Sequence, residues 1–239
     1  ELHKRNKIAF TKMFSDKDEK TLGGYVQKPT PGIYDNILVF DFKSLYPSII
    51  RTFNIDPLSY TEKEEKDVVI APNKAMFRNE EGIMPHIIEK LWAQRDIAKK
   101  NDDALTSYAI KILMNSFYGV LANNNCRFFN PKVANAITHF GQYLIKLTSK
   151  QVESLGYDVI YGDTDSIFVN VNDKDYDTAV KKGKKIQKFI NDFFEEYITR
   201  EYKRKNKMEL EFEKTFKKLM MPKARGSEEV SKKRYAGLV

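Results

Sequence analysis

The apolar positions along this chain change period several times, and those changes predict its elements. Ile37-Leu38-Val39-Phe40 is an unbroken apolar run that reads as a short buried strand, and it ends in Asp41. Gly23-Gly24 and Pro29-Thr30-Pro31-Gly32 punctuate the approach to it. Glu62 to Asp67 is a charge run that reads as a solvated loop. After Pro85, Ile87, Leu91 and Ile97 recur at helical spacing, and Leu105, Tyr108, Ile112, Ser116 and Val120 do so again. Asn101-Asp102-Asp103 between them offers turn chemistry and a capping carboxylate, so the pair is expected to form a helical hairpin. A third helix follows Pro131, marked by Val133, Ile137, Phe140, Leu144, Thr148 and Val152. Val159-Ile160-Tyr161 and Ile167-Phe168-Val169 then flank Gly162-Asp163-Thr164-Asp165, a strand–turn–strand pattern. A further amphipathic helix carries Val180, Ile186, Ile190, Phe193 and Tyr197, and alternation returns from Met208 to Glu213. Strand, helices, hairpin, helix and strands in that order predict an α+β fold with an antiparallel sheet packed on helices.

Composition narrows the class. With 41% hydrophobic and 31% charged residues, the chain has enough apolar material for a globular core. No apolar run is long enough to span a bilayer and the start has no signal-peptide pattern, so no membrane partner is expected. The lone Cys126 cannot form an internal disulfide, and the cytoplasm is the expected compartment. Most of the net charge of +8 lies at one end: Arg200 to Val239 holds 13 Lys and Arg against 6 Asp and Glu. That bias fits a polyanion such as nucleic acid, or simply a solvated charged face.

The candidate chemistry lies in carboxylates placed where they are costly. Asp41 ends an apolar strand, while Asp163 and Asp165 sit in a tight turn between two apolar strands. Three carboxylates brought together repel one another and call for a cation, and hard oxygen donors favour magnesium. Taken singly, Asp163 reads equally as a turn residue and Asp41 as the cap of a following helix. Lys111, Asn115 and Tyr118 share one face of the second hairpin helix, opposite much of its apolar set, and Arg95 and Lys99 share a face of the first. Cations so placed suit a triphosphate, or an ordinary solvated face. Glu209, Glu211 and Glu213 alternate along a strand, facing solvent or joining the carboxylates. Lys232-Lys233-Arg234-Tyr235 sets three cations beside an aromatic ring, which suits phosphate contact.

Three stretches resemble the motifs of family B DNA polymerases, in the family's order. Asp41 to Ser48 (DFKSLYPS) is similar to the first palm motif, Lys111 to Gly119 (KILMNSFYG) to the fingers-helix motif, and Tyr161 to Ser166 (YGDTDS) to the second palm motif. Leu91 to Lys99, Tyr157 to Ser166 and Ser231 to Leu238 further resemble the bacterial DNA polymerase II branch of that family. The resemblance covers about Gly23 to Val239.

It implies a DNA-directed DNA polymerase core using primer-template DNA and dNTPs, with two Mg2+ ions for which Mn2+ can substitute. Asp41 and Asp165 are expected to hold both ions, Asp163 to complete the carboxylate cluster and the Phe42 carbonyl to join the nucleotide-side ion. Ser44, Leu45 and Tyr46 are expected against the nucleotide, with the Tyr46 ring as steric gate under its sugar. Arg95, Lys99 and Lys111 match cations that grip the triphosphate, supported by Asn115. Tyr118, Gly119, Thr164, Lys232, Lys233, Arg234 and Tyr235 are expected to touch DNA, Lys233 and Tyr235 at the primer end. The implied layout is a connecting segment at 1–24, palm at 25–84 and 126–239, and fingers at 85–125. Family members also carry a proofreading exonuclease and a thumb, for which this chain has too few residues, so it reads as a fragment or as one chain of a split enzyme. A repair or lesion-bypass role, a nucleoid location and a sliding clamp engaged through regions outside the chain are further implications. The competing readings are a duplex-binding module, inactive alone, whose carboxylates are structural, and another two-metal nucleotidyl transferase such as a reverse transcriptase. The intact Asp41/Asp163/Asp165 set argues against the first, and Asn115 with Tyr118 against the second.

Overall fold

Strand β1 (Gly32–Phe42) is the middle strand of a five-stranded sheet whose paired strands are all antiparallel. The computed structural model describes residues 2–5, 7, 21, 23–223 and 233–239. The remaining elements follow in chain order as α1 (Leu45–Phe53), β2 (Tyr60–Thr61), β3 (Val68–Ile70), β4 (Met76–Arg78), α2 (Ile83–Lys100), α3 (Ala104–Ala122), α4 (Pro131–Ser154), β5 (Asp158–Asp163), β6 (Ser166–Asn170), α5 (Tyr176–Tyr202), β7 (Leu210–Met221) and β8 (Ala236–Leu238). They divide into two compact units. One comprises Glu1–Gly23 with Ser44–Phe140, the other Gly24–Lys43 with Gly141–Val239. The expected α+β class, with an antiparallel sheet, packed helices and a helical hairpin, is what the chain forms.

In the second unit the strand order is β5-β6-β1-β7-β8. β1 is buried through Ile37–Phe40 because it has a partner on each edge and side chains packed on each face. Ile37, Val39, Tyr161, Phe168 and Phe216 belong to one apolar cluster. Phe40 and Phe42 meet Phe212 and Phe194, with ring centroids 5.4 and 5.8 Å apart. α5 supplies Ala179, Gly183, Ile186, Ile190, Phe194 and Ile198, a buried stripe at helical spacing. Gly183 is required where the helix crosses β7, since an added Cβ would lie 2.9 Å from the Phe212 ring. Asn191 fixes the level of the crossing by exchanging two hydrogen bonds with the Leu210 backbone.

In the first unit, α1 buries Ile49, Ile50 and Phe53, and Phe53 stacks on Phe140 at 3.8 Å. Its start is preceded by Ser44, not by Asp41, which is paired within β1. Asn54 ends α1 in the left-handed conformation. Its side chain donates to the Arg78 and Glu80 carbonyls and accepts from Gly82 N–H. Asp56, also buried, accepts from Leu58 N–H and from Met84 N–H at 2.7 Å each. α2 therefore receives its N-terminal cap from a distant carboxylate, and Gly82 leaves room for it, because an added Cβ would lie 2.5 Å from Asp56. Helix α2 begins two residues before Pro85, which sits in the first turn where a missing N–H costs nothing. Asp103 caps α3 as expected, accepting from Thr106 N–H. The small sheet β2-β4-β3 was not anticipated, since strands of two or three residues show no period. Glu62 to Asp67 is the exposed connection between β2 and β3.

One reading of α3 is corrected. Leu105, Tyr108 and Ile112, which mark the helical period, are 80%, 64% and 54% exposed, and the buried positions are Ser107, Met114 and Leu121. The buried face of α3 is three unlike residues spaced seven apart, so the hydrophobic pattern identified the helix but not its buried face.

Candidate active site

The three acidic residues singled out in the sequence meet at one end of the large sheet. In the β1–β6 ladder Asp41 lies opposite Ser166, and in the β5–β6 ladder Asp163 lies opposite the same Ser166. Asp165 precedes Ser166 in the turn, and its carbonyl accepts from Phe42 N–H at 2.8 Å. Directly opposed residues share a face of a sheet, so Asp163, Ser166 and Asp41 form one row across three strands. Two strand spacings separate Asp41 from Asp163 along that row, about 10 Å between Cα atoms, whereas Asp165 is tied to the residue next to Asp41. The turn is tight because Thr164 adopts φ 54 and Asp165 N–H bonds the Asp163 carbonyl at 2.6 Å. Residues 24–30 brace the outer edge of β5: Thr164 N–H bonds the Tyr25 carbonyl, Gln27 N–H the Gly162 carbonyl and Thr30 N–H the Ile160 carbonyl. Gly24 lets that edge approach, as its added Cβ would lie 2.7 Å from Thr164 Cγ2.

Asp163 is held by three side chains. Its carboxylate accepts from Tyr161 Oη at 3.3 Å and Thr164 Oγ1 at 3.1 Å, and pairs with Lys233 Nζ at 3.0 Å. Burial, then the Asp163 charge, push the Tyr161 hydroxyl up to about 12. Tyr235, two residues on from Lys233, lays its ring against Phe168, Phe216 and Tyr161 at 5.2 to 6.3 Å. Lys232 lies outside the described residues, and Arg234 is exposed. The glutamates at the start of β7 and just before it pair with cations. Lys43 Nζ bridges Glu209 at 3.1 Å and Glu211 at 3.3 Å, and Lys214 pairs with Glu213. Burial lowers the Lys43 pKa, but those two carboxylates outweigh it and hold the ammonium above its ordinary value. A register shift between Val39 and Phe40 in the β1–β7 ladder leaves Glu211, opposite Asp41, as the glutamate nearest the row. Lys43 and Tyr161 were missed as site residues. Each lies two positions from one of the acids and within a palm-like motif, DFKSLYPS or YGDTDS, which is the signal the sequence carries for them.

Titration of the tyrosines yields a stability prediction. Burial raises the hydroxyls of Tyr161 and Tyr202 to about 12, and Tyr197 is raised too, by burial and its bond with Tyr143. An unfolded tyrosine ionises near 10.0, so between these values the unfolded chain loses protons that the folded chain keeps. Their contribution is complete below pH 10 and is lost as pH rises towards 12. The midpoint of urea unfolding should fall from about pH 9 to about pH 11, and Tyr161→Phe should reduce that fall.

Among the described residues no group of three or more His, Cys, Asp or Glu side chains is arranged to hold a metal ion. Magnesium does not require one, since it is commonly bound by one or two carboxylates with waters and substrate phosphates completing its shell. Asp41 precedes Phe42, whose N–H bonds the Asp165 carbonyl, and both side chains are hard oxygen donors of the kind such an ion takes.

The first unit holds the other expected residues. Ser44 has φ 48, makes no capping bond, and its Oγ is buried without a hydrogen-bond partner among the described residues. The N–H groups of Leu45 and Tyr46 open α1, where amides without intrahelical partners favour a negative group. The Tyr46 ring rests on Tyr118 at 5.0 Å. Burial raises the Tyr118 hydroxyl, opposed by a bond with Thr21. On the hairpin, Lys99, Lys111 and Asn115 are exposed, and Arg95 Nε is buried without a hydrogen-bond partner among the described residues. An added Cβ on Gly119 would meet nothing within 4 Å.

The sequence model of DNA polymerase family B matches residues 1–239. DNA polymerase II of Escherichia coli is 42% identical over 222 residues, covering 91% of this chain and 28% of the relative. A DNA polymerase of Thermococcus gorgonarius is 33% identical over 207 residues, covering 79% of this chain and 27% of the relative. The structure of a family B DNA polymerase from Pyrobaculum calidifontis superposes with a TM-score of 0.64 at 26% identity, covering 100% of this chain and 30% of that one. The chain thus spans less than a third of the length of these relatives. No described helix is long and apolar enough to cross a membrane.

Proposed function

Because this chain belongs to DNA polymerase family B, we propose that it is the palm-and-fingers core of a DNA-directed DNA polymerase. The observation that carries the reading is the meeting of Asp41, Asp163 and Asp165 at one end of the sheet from two distant parts of the chain. In the proposed reaction the primer 3′-oxygen bonds to the α-phosphorus of a dNTP, its proton leaves to solvent, and the bond to pyrophosphate breaks.

Asp41 and Asp165, with the Phe42 carbonyl, hold the divalent ions, and Asp163 completes the acidic end. Two Mg2+ ions bound there supply the charge that eases loss of the hydroxyl proton and neutralises the leaving phosphates. Arg95, Lys99 and Lys111 take the charge of the triphosphate, and Asn115 supports them. Ser44, Leu45 and Tyr46 present α1's first amides and a ring to the nucleotide. Tyr118, Gly119, Thr164, Lys232, Arg234 and Tyr235 contact DNA. Lys233 does so by exchanging Asp163 for an acceptor on the primer. Residues 85–125 serve as fingers, 25–84 and 126–239 as palm. The same reading extends to repair and lesion bypass, to a place at the nucleoid, and to a sliding clamp engaged outside this chain.

Primer extension with dNTPs and Mg2+, run on this chain and on any longer protein containing it, tests the proposal. Extension that ceases on chelation is expected, and no extension by either would contradict it. The gate has its own test. Tyr46→Ala removes the ring that excludes a 2′-hydroxyl, so the ratio of ribonucleotide to deoxynucleotide incorporation should rise by about 100-fold, the size of effect expected when one steric or polar contact decides between substrates. An unchanged ratio would remove Tyr46 from that role.

A further inference from the structure

We propose that the outer face of α5 is a second anion-binding surface, a track for single-stranded DNA separate from the carboxylate end of the sheet. The buried stripe of α5 faces the sheet through Gly183, Ile186 and Ile190, and the opposite side carries Lys181, Lys184, Lys185 and Lys188 within two turns. All four are exposed. Spacings of three and four make them mutual neighbours: 181 with 184 and 185, 184 with 188, 185 with 188. Like charges so spaced destabilise a helix. Relief within the structure is limited. Lys188 pairs with Asp192 at 2.6 Å and Lys181 feels the charge of Asp175, while Lys184 and Lys185 have no ion pair among the described residues.

Helix stability does not account for the arrangement. At its ends α5 follows the helix dipole, with Asp177 in the first turn and Arg200 in the last, and the four lysines lie beyond the first turn, where the dipole gives them nothing. In the one i,i+4 ion pair the lysine precedes the acid, the weaker of the two orders. Beyond Lys188 the same face turns acidic, so the cationic stretch is bounded and about 10 Å long, enough for about two or three phosphates. Phe189, 38% exposed, is four residues from Lys185 and offers a ring at the edge of the track. Cations beside an exposed ring suit an unpaired strand, whose bases are free to stack, better than a duplex.

The test is fluorescence anisotropy of a labelled oligothymidine of about 20 nucleotides, titrated with the whole chain across a salt series. The variant replaces Lys181, Lys184, Lys185 and Lys188 by Gln. Loss of about two or three phosphate contacts should lower affinity about tenfold at low salt. It should also reduce the slope of log affinity against log salt by about 1.4 to 2. Phe189→Ala should weaken binding severalfold with no change of slope. If the fourfold variant does not fold, Lys184→Gln with Lys185→Gln should give about half the slope change. Unchanged affinity and slope would overturn the proposal. So would an equal loss on blunt duplex, or binding of a polyglutamate peptide as tight as that of the oligonucleotide. Extension of a short primer-template with almost no overhang should be unaffected by the variant, so failure here is distinguishable from failure of the polymerase reading.

Discussion

Asp165→Asn should reduce primer extension by at least about three orders of magnitude while leaving the fold intact. The Asp165 backbone holds the turn through its bond with Phe42 N–H, and a change of side chain leaves that bond in place. What is lost is one anionic oxygen from the proposed donor set. Metal charge at a phosphoryl transfer contributes several kcal/mol of transition-state stabilisation, and each 1.4 kcal/mol is about tenfold in rate. Asp41→Asn should behave alike. Asp163→Asn should cost less, because in the proposed donor set Asp41 and Asp165 hold the ions, while Asp163 completes the acidic end and is engaged by Tyr161, Thr164 and Lys233. Single-turnover extension by the three variants, with unfolding midpoints as control, checks the order. Equal losses at all three positions would contradict the distinction between Asp163 and the other two.

Asp56→Ala should be the most destabilising polar substitution in the first unit. The buried carboxylate accepts two backbone N–H bonds at 2.7 Å, one of them at the start of α2. Removing it strands the Met84 donor away from water and takes the acceptor from the partly buried Leu58 donor. At about 1.5–3 kcal/mol for each hydrogen bond to a charged group, the loss is about 3–6 kcal/mol, a large share of the 5–15 kcal/mol typical of a domain. Asp56→Asn, which keeps one acceptor, should lose roughly half as much. Urea unfolding of the three proteins measures this, and a loss under about 1 kcal/mol for the alanine variant would show that Asp56 is not the cap of α2.

The sequence revealed elements wherever burial imposed a long period. α4, α5, the β5–β6 hairpin and the middle of β1 follow directly from Val133–Val152, Ile186–Tyr197, the acidic turn and Ile37–Phe40. β2, β3 and β4 escaped because two or three residues carry no periodicity, and the buried face of α3 escaped because it is set by Ser107, Met114 and Leu121 while Leu105 and Ile112 face out. At the site, each acid was legible as a costly residue in an apolar setting, but the pairing of both Asp41 and Asp163 with Ser166 is a fact of register. The remote bonds that Asn54 and Asp56 make to the start of α2 could not be read at all: both look like ordinary loop residues until Gly82 and Met84 are folded against them. Lys233 was expected at the primer end and Lys43 drew no reading, and only the fold shows that they pair with Asp163 and with Glu209 and Glu211.

The central claim is that Asp41 and Asp165 together hold a divalent ion beside a nucleotide. Electron paramagnetic resonance of Mn2+, titrated with this chain and a non-hydrolysable dNTP, measures it without requiring turnover. The native chain should take up Mn2+ in the presence of the nucleotide, and Asp41→Asn with Asp165→Asn should abolish that uptake. Equal uptake by the native chain and the double variant would contradict the claim.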